Sequence, residues 1–330
     1  MSVRQPGSQA ANQAATQAAI PPANRPASQV ANKLANRGAN KVAKHAAHRS
    51  RRADPWRIVG NTFLAVLTIF AIMPMAWMLI TSVKTQFAAL QYPPEWIPRH
   101  ITLEQYVRLL SPANDTGRDF LRYLANSLWV STATTVLGII VAVPAAYAFS
   151  RFRFPGRNLL FYSVLLRNMF PAVVFLMPLF IMMRWLGLVN TQTSLILTYL
   201  TFGLPLSIWL LKGFYDNIPV QLEQAARIDG ASRFQAFVLI VMPLSSPGII
   251  ASAIYAFIMA WNEYVYALTF LNDKDRLTLP VGLQRFFTEY ATNWPGLMAA
   301  SFIMSVPVVV LFLVLQKYFV RALTEGAVKS

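Results

Sequence analysis

Two ionisable residues lie well inside apolar runs of this chain, Arg167 and Glu263. A charge in hydrocarbon costs roughly 3 kcal/mol or more unless it is paired, so each marks a functional position by default. Glu263 stands in Ala260-Trp261-Asn262-Glu263-Tyr264. An indole beside a carboxamide and a carboxylate can both stack against and hydrogen-bond a polar solute, and sugar hydroxyls call for both. The same carboxylate serves equally as an anchor, hydrogen-bonded at a helix–helix contact. Arg167, with Asn168 beside it, carries the same two readings, and a salt bridge between Arg167 and Glu263 stays open. Asn126, next to Ser127 at the start of another apolar run, is a weaker polar candidate. Asn126, Arg167, Asn168, Trp261, Asn262 and Glu263 are therefore the candidate solute path.

Other chemistries lack their residues. There is no G-x-x-x-x-G-K-[ST] phosphate loop, so this chain is not expected to bind ATP by itself. His45, His48 and His100 fall outside the apolar runs, which leaves an intramembrane serine protease or metalloprotease without a histidine, and no metal site is expected. The chain holds no cysteine, so thiol, disulfide and Cys-ligated zinc chemistry are excluded. Ion-coupled carriers thread several acids or histidines through the membrane; one glutamate and one arginine fit that poorly.

A second polar feature interrupts the apolar runs: Pro219-Val-Gln-Leu-Glu-Gln-Ala-Ala-Arg-Ile-Asp-Gly-Ala-Ser232. Pro219 suits the first turn of a helix, where its missing N–H is no loss. Glu223 and Arg227 stand four apart in the order that supports a helix. Asp229-Gly230 supplies a turn, because glycine reaches the left-handed region cheaply. Ala225, Ala226 and Ala231 keep the element slim, and a second helix is predicted from Ser232 to Val241, ahead of Pro243 and Pro247. A slim helix with a tight elbow between two apolar runs is shaped for a groove on another protein.

These residues must be positioned by membrane spans. Of 330 residues, 55% are hydrophobic and only 13% charged, with a mean hydropathy of +0.43; a soluble domain carries about 25% charged residues. Six runs approach the roughly 20 residues that cross a bilayer: Ile58–Ser82, Tyr123–Phe149, Leu159–Met183, Ser194–Leu211, Leu244–Leu271 and Leu297–Phe319. Pro144, Pro171, Pro178, Pro205 and Pro307 fall inside them and are expected to break or kink helices. The formal net charge is +16, but about a third of the Lys and Arg precede Trp56 and much of the rest lies in short loops on one side. That asymmetry is the positive-inside pattern and not a nucleic-acid-binding face; it predicts both termini, and the elbow, in the cytoplasm.

The regions outside the spans carry their own expectations. Residues 1–55 are Ala-, Asn-, Gln- and Pro-rich and end in the basic run Arg49, Arg51, Arg52. They read as a disordered basic cytoplasmic extension: a solvated tail that pins the first span, or a contact to membrane lipid. The segment Lys84–Phe120 is too long for a connector and is predicted to form a partly ordered external cap. Asn272–Trp294, with Asp273, Arg276, Arg285 and Glu289, is predicted to include a short surface helix. Either external segment meets a partner or shields the spans.

Gln224-Ala-Ala-Arg-Ile-Asp-Gly-Ala-Ser232, followed by Phe237 and Pro243, resembles the E-A-A-x-x-x-G signature of binding-protein-dependent ABC importer permeases. Gln224 departs from that pattern: the signature glutamate is replaced, and Glu223 stands just before it. Ala145-Ala-Tyr-Ala-Phe-Ser-Arg-Phe-Arg-Phe-Pro-Gly-Arg157, Trp261-Asn-Glu263, Leu279-Pro-Val-Gly282 and Leu323-Thr-Glu-Gly-Ala-Val-Lys329 resemble the carbohydrate branch, and within it the maltose-system-type second permease. The resemblance spans most of residues 56–330. It implies an all-α membrane protein with six transmembrane helices in the type I ABC importer permease fold, a transmembrane domain over 56–322 with its coupling loop at 217–243, and a cytoplasmic tail at 323–330. It further implies a multi-pass subunit of a bacterial or archaeal cytoplasmic membrane that performs no catalysis. Its partners would be a second permease subunit, two ATP-binding subunits holding ATP and Mg, and an extracytoplasmic solute-binding protein. Leu222, Glu223, Gln224, Ala225, Ala226, Asp229, Gly230 and Ala231 would couple to the ATPase, with any salt bridge from the signature glutamate moved to Glu223. The solute would be a sugar, with a polyol, glycerol phosphate or peptide as alternatives.

Overall fold

The computed structural model describes residues 55–286 and 292–327, so nearly all of the expected N-terminal extension and the last three residues of the tail lie outside the described residues. Two compact units are distinguished, Met1–Ile72 and Met73–Ser330. The described part of the first is the beginning of helix α1 (Pro55–Ser82). Phe63, Leu64, Ile69 and Phe70 are all exposed there. A helix that is apolar all round is suited to lipid as its solvent.

In the second unit, two short helices, α2 (Gln86–Leu90) and α3 (Glu104–Leu110), follow α1. The long α4 (Asp115–Arg151) starts eight residues before the predicted span. Its extra turns come from a cap: Asn114 Oδ1 accepts the Gly117 N–H at 2.7 Å, which satisfies one of the helix's orphan donors. Helices α5 (Arg157–Leu166) and α6 (Leu176–Trp185) come next, then α7 (Gln192–Asn217). The elbow is α8 (Val220–Ile228) and α9 (Arg233–Ala236), continued by a π-helical turn at Phe237–Val241 and by α10 (Met242–Leu244). The chain ends through α11 (Ser246–Trp261), α12 (Val265–Phe270), α13 (Leu279–Gly282) and α14 (Trp294–Ala327). The described residues contain no strand.

Among the described residues four helices are long and apolar enough to cross a membrane, and two bent pairs raise the number to as many as six. The runs at Leu159–Met183 and Leu244–Leu271 are both broken, the first at Pro171, where a break or kink was expected. The first breaks at residues 167–175, where the flanking segments bend by 103°. Phe170 is extended at φ −94°, ψ 136°, because the ring of Pro171 excludes the helical region for the residue before it. The second bends by 74° at Ser245, just ahead of Pro247. It breaks again at residues 262–264 without any proline. Pro144, Pro205 and Pro307 sit inside unbroken helices, and Pro178 occupies the first turn of α6, where proline is tolerated.

Helices α4, α7 and α11 pack on one another and α14 packs on α11. Two apolar clusters result. One gathers Tyr123, Tyr199, Phe202, Phe257, Trp261 and Phe270. The other gathers Val143, Ala146, Ile208, Leu211, Tyr215 and Phe237, so it lies directly against the elbow.

The short surface helix expected between Asn272 and Trp294 is the exposed 3-10 turn Lys274–Arg276, and the α13 that follows is short and buried, with Leu279 fully enclosed. Ser127 Oγ accepts the Leu279 N–H at 2.7 Å, and Gly282 lies so close to the Tyr123 ring that a Cβ would collide with it. The turn before α13 is tied to the start of α4 by Lys274–Asp119 at 2.5 Å and by Arg122–Asp275. The side chains of Arg285 and Glu289 lie outside the described residues.

Candidate functional site

The elbow is built by local rules. Pro219, at φ −58° and ψ 129°, directs the chain into α8 from the position before the first helical residue and not from within the first turn. Asp229 ends α8, and Gly230 reverses the chain at φ +94°, where an L side chain is strained. The next helix starts from a capping box: the Gln235 N–H donates to Ser232 Oγ at 3.2 Å, and the Ser232 N–H donates to Gln235 Oε1 at 2.8 Å. Leu222, Gln224, Ala225, Arg227, Ile228, Asp229 and Gly230 all face outward. Ala226 and Ala231 are half-buried.

Glu223 does not face outward, which corrects the expectation that its carboxylate is free for another protein. Arg151 Nε donates to Glu223 Oε1 at 2.5 Å, and Tyr147 Oη donates to Oε2 at 2.7 Å. Both side chains of the ion pair are only 9% exposed. The expected Glu223–Arg227 pair is not formed, because the carboxylate is already committed to α4. Arg151 also donates to the Ile218 carbonyl at 2.8 Å and to Ser150 Oγ at 3.2 Å. Ser150 Oγ donates to Asp216 at 2.6 Å, and Lys212 Nζ binds the same carboxylate at 2.6 Å. The result is one charge-assisted network joining α7, the end of α4 and α8. The Tyr147 ring, 4.4 Å from that of Phe237, carries the clamp on into the segment after the elbow.

The candidate solute-path residues are scattered and mostly occupied. Glu263 caps α12: its Oε1 accepts the Tyr266 N–H at 2.9 Å, and its Oε2 accepts Tyr199 Oη at 2.6 Å and the Ala267 N–H at 3.2 Å. That commitment explains the break at residues 262–264, where the side chain takes over donors the preceding helix does not reach. Trp261 is 1% exposed, stacks on Phe257 and donates Nε1–H to the Met304 carbonyl at 3.1 Å. Asn262 is exposed and donates back to the Ile258 carbonyl. Asn126 straps the external turn to α4 by donating to the Asp275 and Leu277 carbonyls, both at 2.9 Å. Arg167 lies at the break between α5 and α6, its guanidinium 3.5 Å from the Phe202 ring centre and one amino group bonded to Asn168 Oδ1 at 3.0 Å. Among the described residues no ion pair joins Arg167 to Glu263, and no group of His, Asp and Glu could hold a metal ion.

Comparison with known proteins turns on the part of the chain that carries the elbow. Residues 134–325 match the family described as binding-protein-dependent transport system inner membrane component. The chain belongs to this family. Among its relatives, the trehalose/maltose transport system permease protein MalG of Thermococcus litoralis is 38% identical over 83% of this chain and 96% of its own length. An inner membrane ABC transporter permease protein of Escherichia coli, YcjP, is 37% identical over 81% of this chain and 94% of its own. The trehalose transport system permease protein SugB of Mycobacterium tuberculosis is 34% identical, covering 85% and 99%. A crystal structure of a bacterial ABC transporter involved in alginate import shares the fold, with a TM-score of 0.69, 24% identity and coverage of 82% and 98%. As an inner membrane component, this protein is a multi-pass transporter subunit and not an enzyme.

Sequence reasoning on this inner membrane component missed the pairing of Tyr147 and Arg151 with Glu223. A signal existed: they stand four apart, hence on one helical face, at the end of an apolar run where a basic residue otherwise points to solvent.

Proposed function

We propose that this chain is the second permease subunit of an ATP-driven, binding-protein-dependent sugar importer and that α8, Gly230 and α9 form its coupling element. In this reading the chain crosses the membrane six times in the type I importer fold, counting each bent pair as one span, with both termini and the elbow in the cytoplasm. It works beside a second permease subunit, two ATP-binding subunits that hold ATP and Mg, and an extracytoplasmic solute-binding protein. Residues Leu222, Gln224, Ala225, Asp229 and Gly230 present the outward face of the elbow to an ATP-binding subunit. Glu223, Ala226 and Ala231 act from behind it.

One observation carries the reading: an element displayed to solvent on its outer face is fixed to a membrane helix on its inner face by the Glu223–Arg151–Tyr147 network. A surface helix that only closed a loop would need no such clamp. Pulling on the elbow then moves the end of α4, and α4 packs along α7 and α11. Closure of the ATP-binding subunits drives the bundle between inward- and outward-facing arrangements. Carbohydrate is favoured as the solute because relatives more than 30% identical are named for trehalose, maltose and diacetylchitobiose transport.

The test is uptake by the assembled complex. Proline cannot adopt the φ of +94° found at Gly230, so Gly230→Pro is expected to abolish uptake while the protein still reaches the membrane. Wild-type uptake by this substituted complex would remove the coupling role. Competition by sugars, polyols, glycerol phosphate and peptides in the same assay reads the solute class.

A further inference from the structure

The elbow and the end of α4 border an open cleft of about 180 Å³ whose walls include Tyr147, Phe152, Gln224, Arg227 and Arg233. Arg151 and Glu223 are also exposed to it, already paired with each other. Three guanidinium groups against one carboxylate leave the lining with a charge of +2. The side chains of Arg227 and Arg233 make no hydrogen bond or ion pair among the described residues, and both residues are exposed. They precede and follow the turn at Gly230, so the fold brings two cations with unpaired side chains to one opening. Next in sequence to these two arginines stand Ile228, 86% exposed, and Phe234, 73% exposed. Exposed apolar side chains next to free cations make a mixed surface of the kind found where proteins dock.

The departure at Gln224 fits this charge pattern. A glutamate there would line the same cleft and neutralise one of the two free arginines; glutamine keeps the shape and leaves the cations uncompensated. We propose that the cleft bordered by α8, α9 and the end of α4 takes a carboxylate side chain of the ATP-binding subunit, held by Arg227 and Arg233, so that the polarity of this contact runs from a basic elbow to an acidic groove. Guanidinium groups suit this role because they grip a carboxylate through paired N–H donors. This inference rests on the coupling role of the elbow described above.

The experiment uses the co-expressed, detergent-solubilised complex and measures retention of the ATP-binding subunit across a salt series. The Arg227→Gln/Arg233→Gln double variant should bind the ATP-binding subunit about tenfold more weakly at low salt and show a flattened salt dependence, since rim charges act mainly through screened electrostatics. Arg227→Lys/Arg233→Lys should keep the salt dependence. Selection for restored uptake in an Arg227→Glu/Arg233→Glu background should return acid-to-base changes on the ATP-binding subunit. Wild-type affinity and salt slope in the glutamine variant would overturn the proposal, as would loss of binding only when anionic lipid is removed, which would assign the cleft to lipid headgroups. A wild-type permease that never retains the ATP-binding subunit would instead remove the coupling role itself.

Discussion

Glu223→Gln isolates the clamp from the docking face. The substitution keeps side-chain length and one acceptor oxygen but removes the negative charge that Arg151 meets at 2.5 Å. Breaking a buried ion pair by removing one partner costs about 3–5 kcal/mol, because the remaining charge stays desolvated. Here the pair borders an open cleft, Arg151 keeps the Ile218 carbonyl as an acceptor, and glutamine still accepts one bond. The loss is therefore nearer that of one or two charge-assisted hydrogen bonds, roughly 2–3 kcal/mol. At 1.4 kcal/mol per factor of ten, the clamped population of the elbow falls by about 30- to 150-fold relative to the unclamped one. The assay is solute uptake per ATP hydrolysed in proteoliposomes. Retention of the ATP-binding subunit should survive, because the outward face is unchanged, while uptake per ATP drops severalfold. An unchanged ratio would refute the idea that Glu223 carries motion from the elbow into α4.

Asn126→Ala removes two hydrogen bonds of 2.9 Å to the Asp275–Leu277 turn and should lower thermal stability, by about 2 kcal/mol if each bond contributes near 1 kcal/mol, without changing solute competition in uptake. Glu263→Gln weakens the cap on α12 and the bond from Tyr199; a fall in Tm with an unchanged apparent KM for uptake is expected, whereas a raised KM at wild-type Tm would return this residue to the solute path. Trp261→Phe loses the bond to the Met304 carbonyl but keeps an aromatic ring against Phe257, so a loss of about 1 kcal/mol in stability with wild-type uptake is expected.

Features written in neighbouring residues were legible in the sequence. Pro219 and Asp229-Gly230 prescribe a short helix ending in a left-handed reversal, and the structure has both. Apolar run length located most of the long helices. What the sequence withheld was direction and distant partnership. Glu223 and Arg151 are 72 positions apart, and no local rule pairs them. Trp261-Asn262-Glu263 looked like a polar face because three hydrogen-bonding residues were adjacent; in a helix adjacent residues point about 100° apart, and these diverge into a core, an exposed surface and a helix cap. The bend at residues 167–175 was half legible: Pro171 marked the place, but a proline inside a helix, as at Pro144 or Pro205, need not break it.

The chain has no cysteine, so a single introduced thiol is a clean probe of the central claim that the elbow meets the ATP-binding subunit from the cytoplasm. Ile228, at the tip and 86% exposed, is the position for it. In membranes holding the assembled complex, a bifunctional thiol reagent acting on Ile228→Cys should yield a cross-linked species containing the ATP-binding subunit, and an impermeant maleimide applied from the extracytoplasmic side should leave it unlabelled. Labelling from outside, with no cross-link to the ATP-binding subunit, would contradict the account.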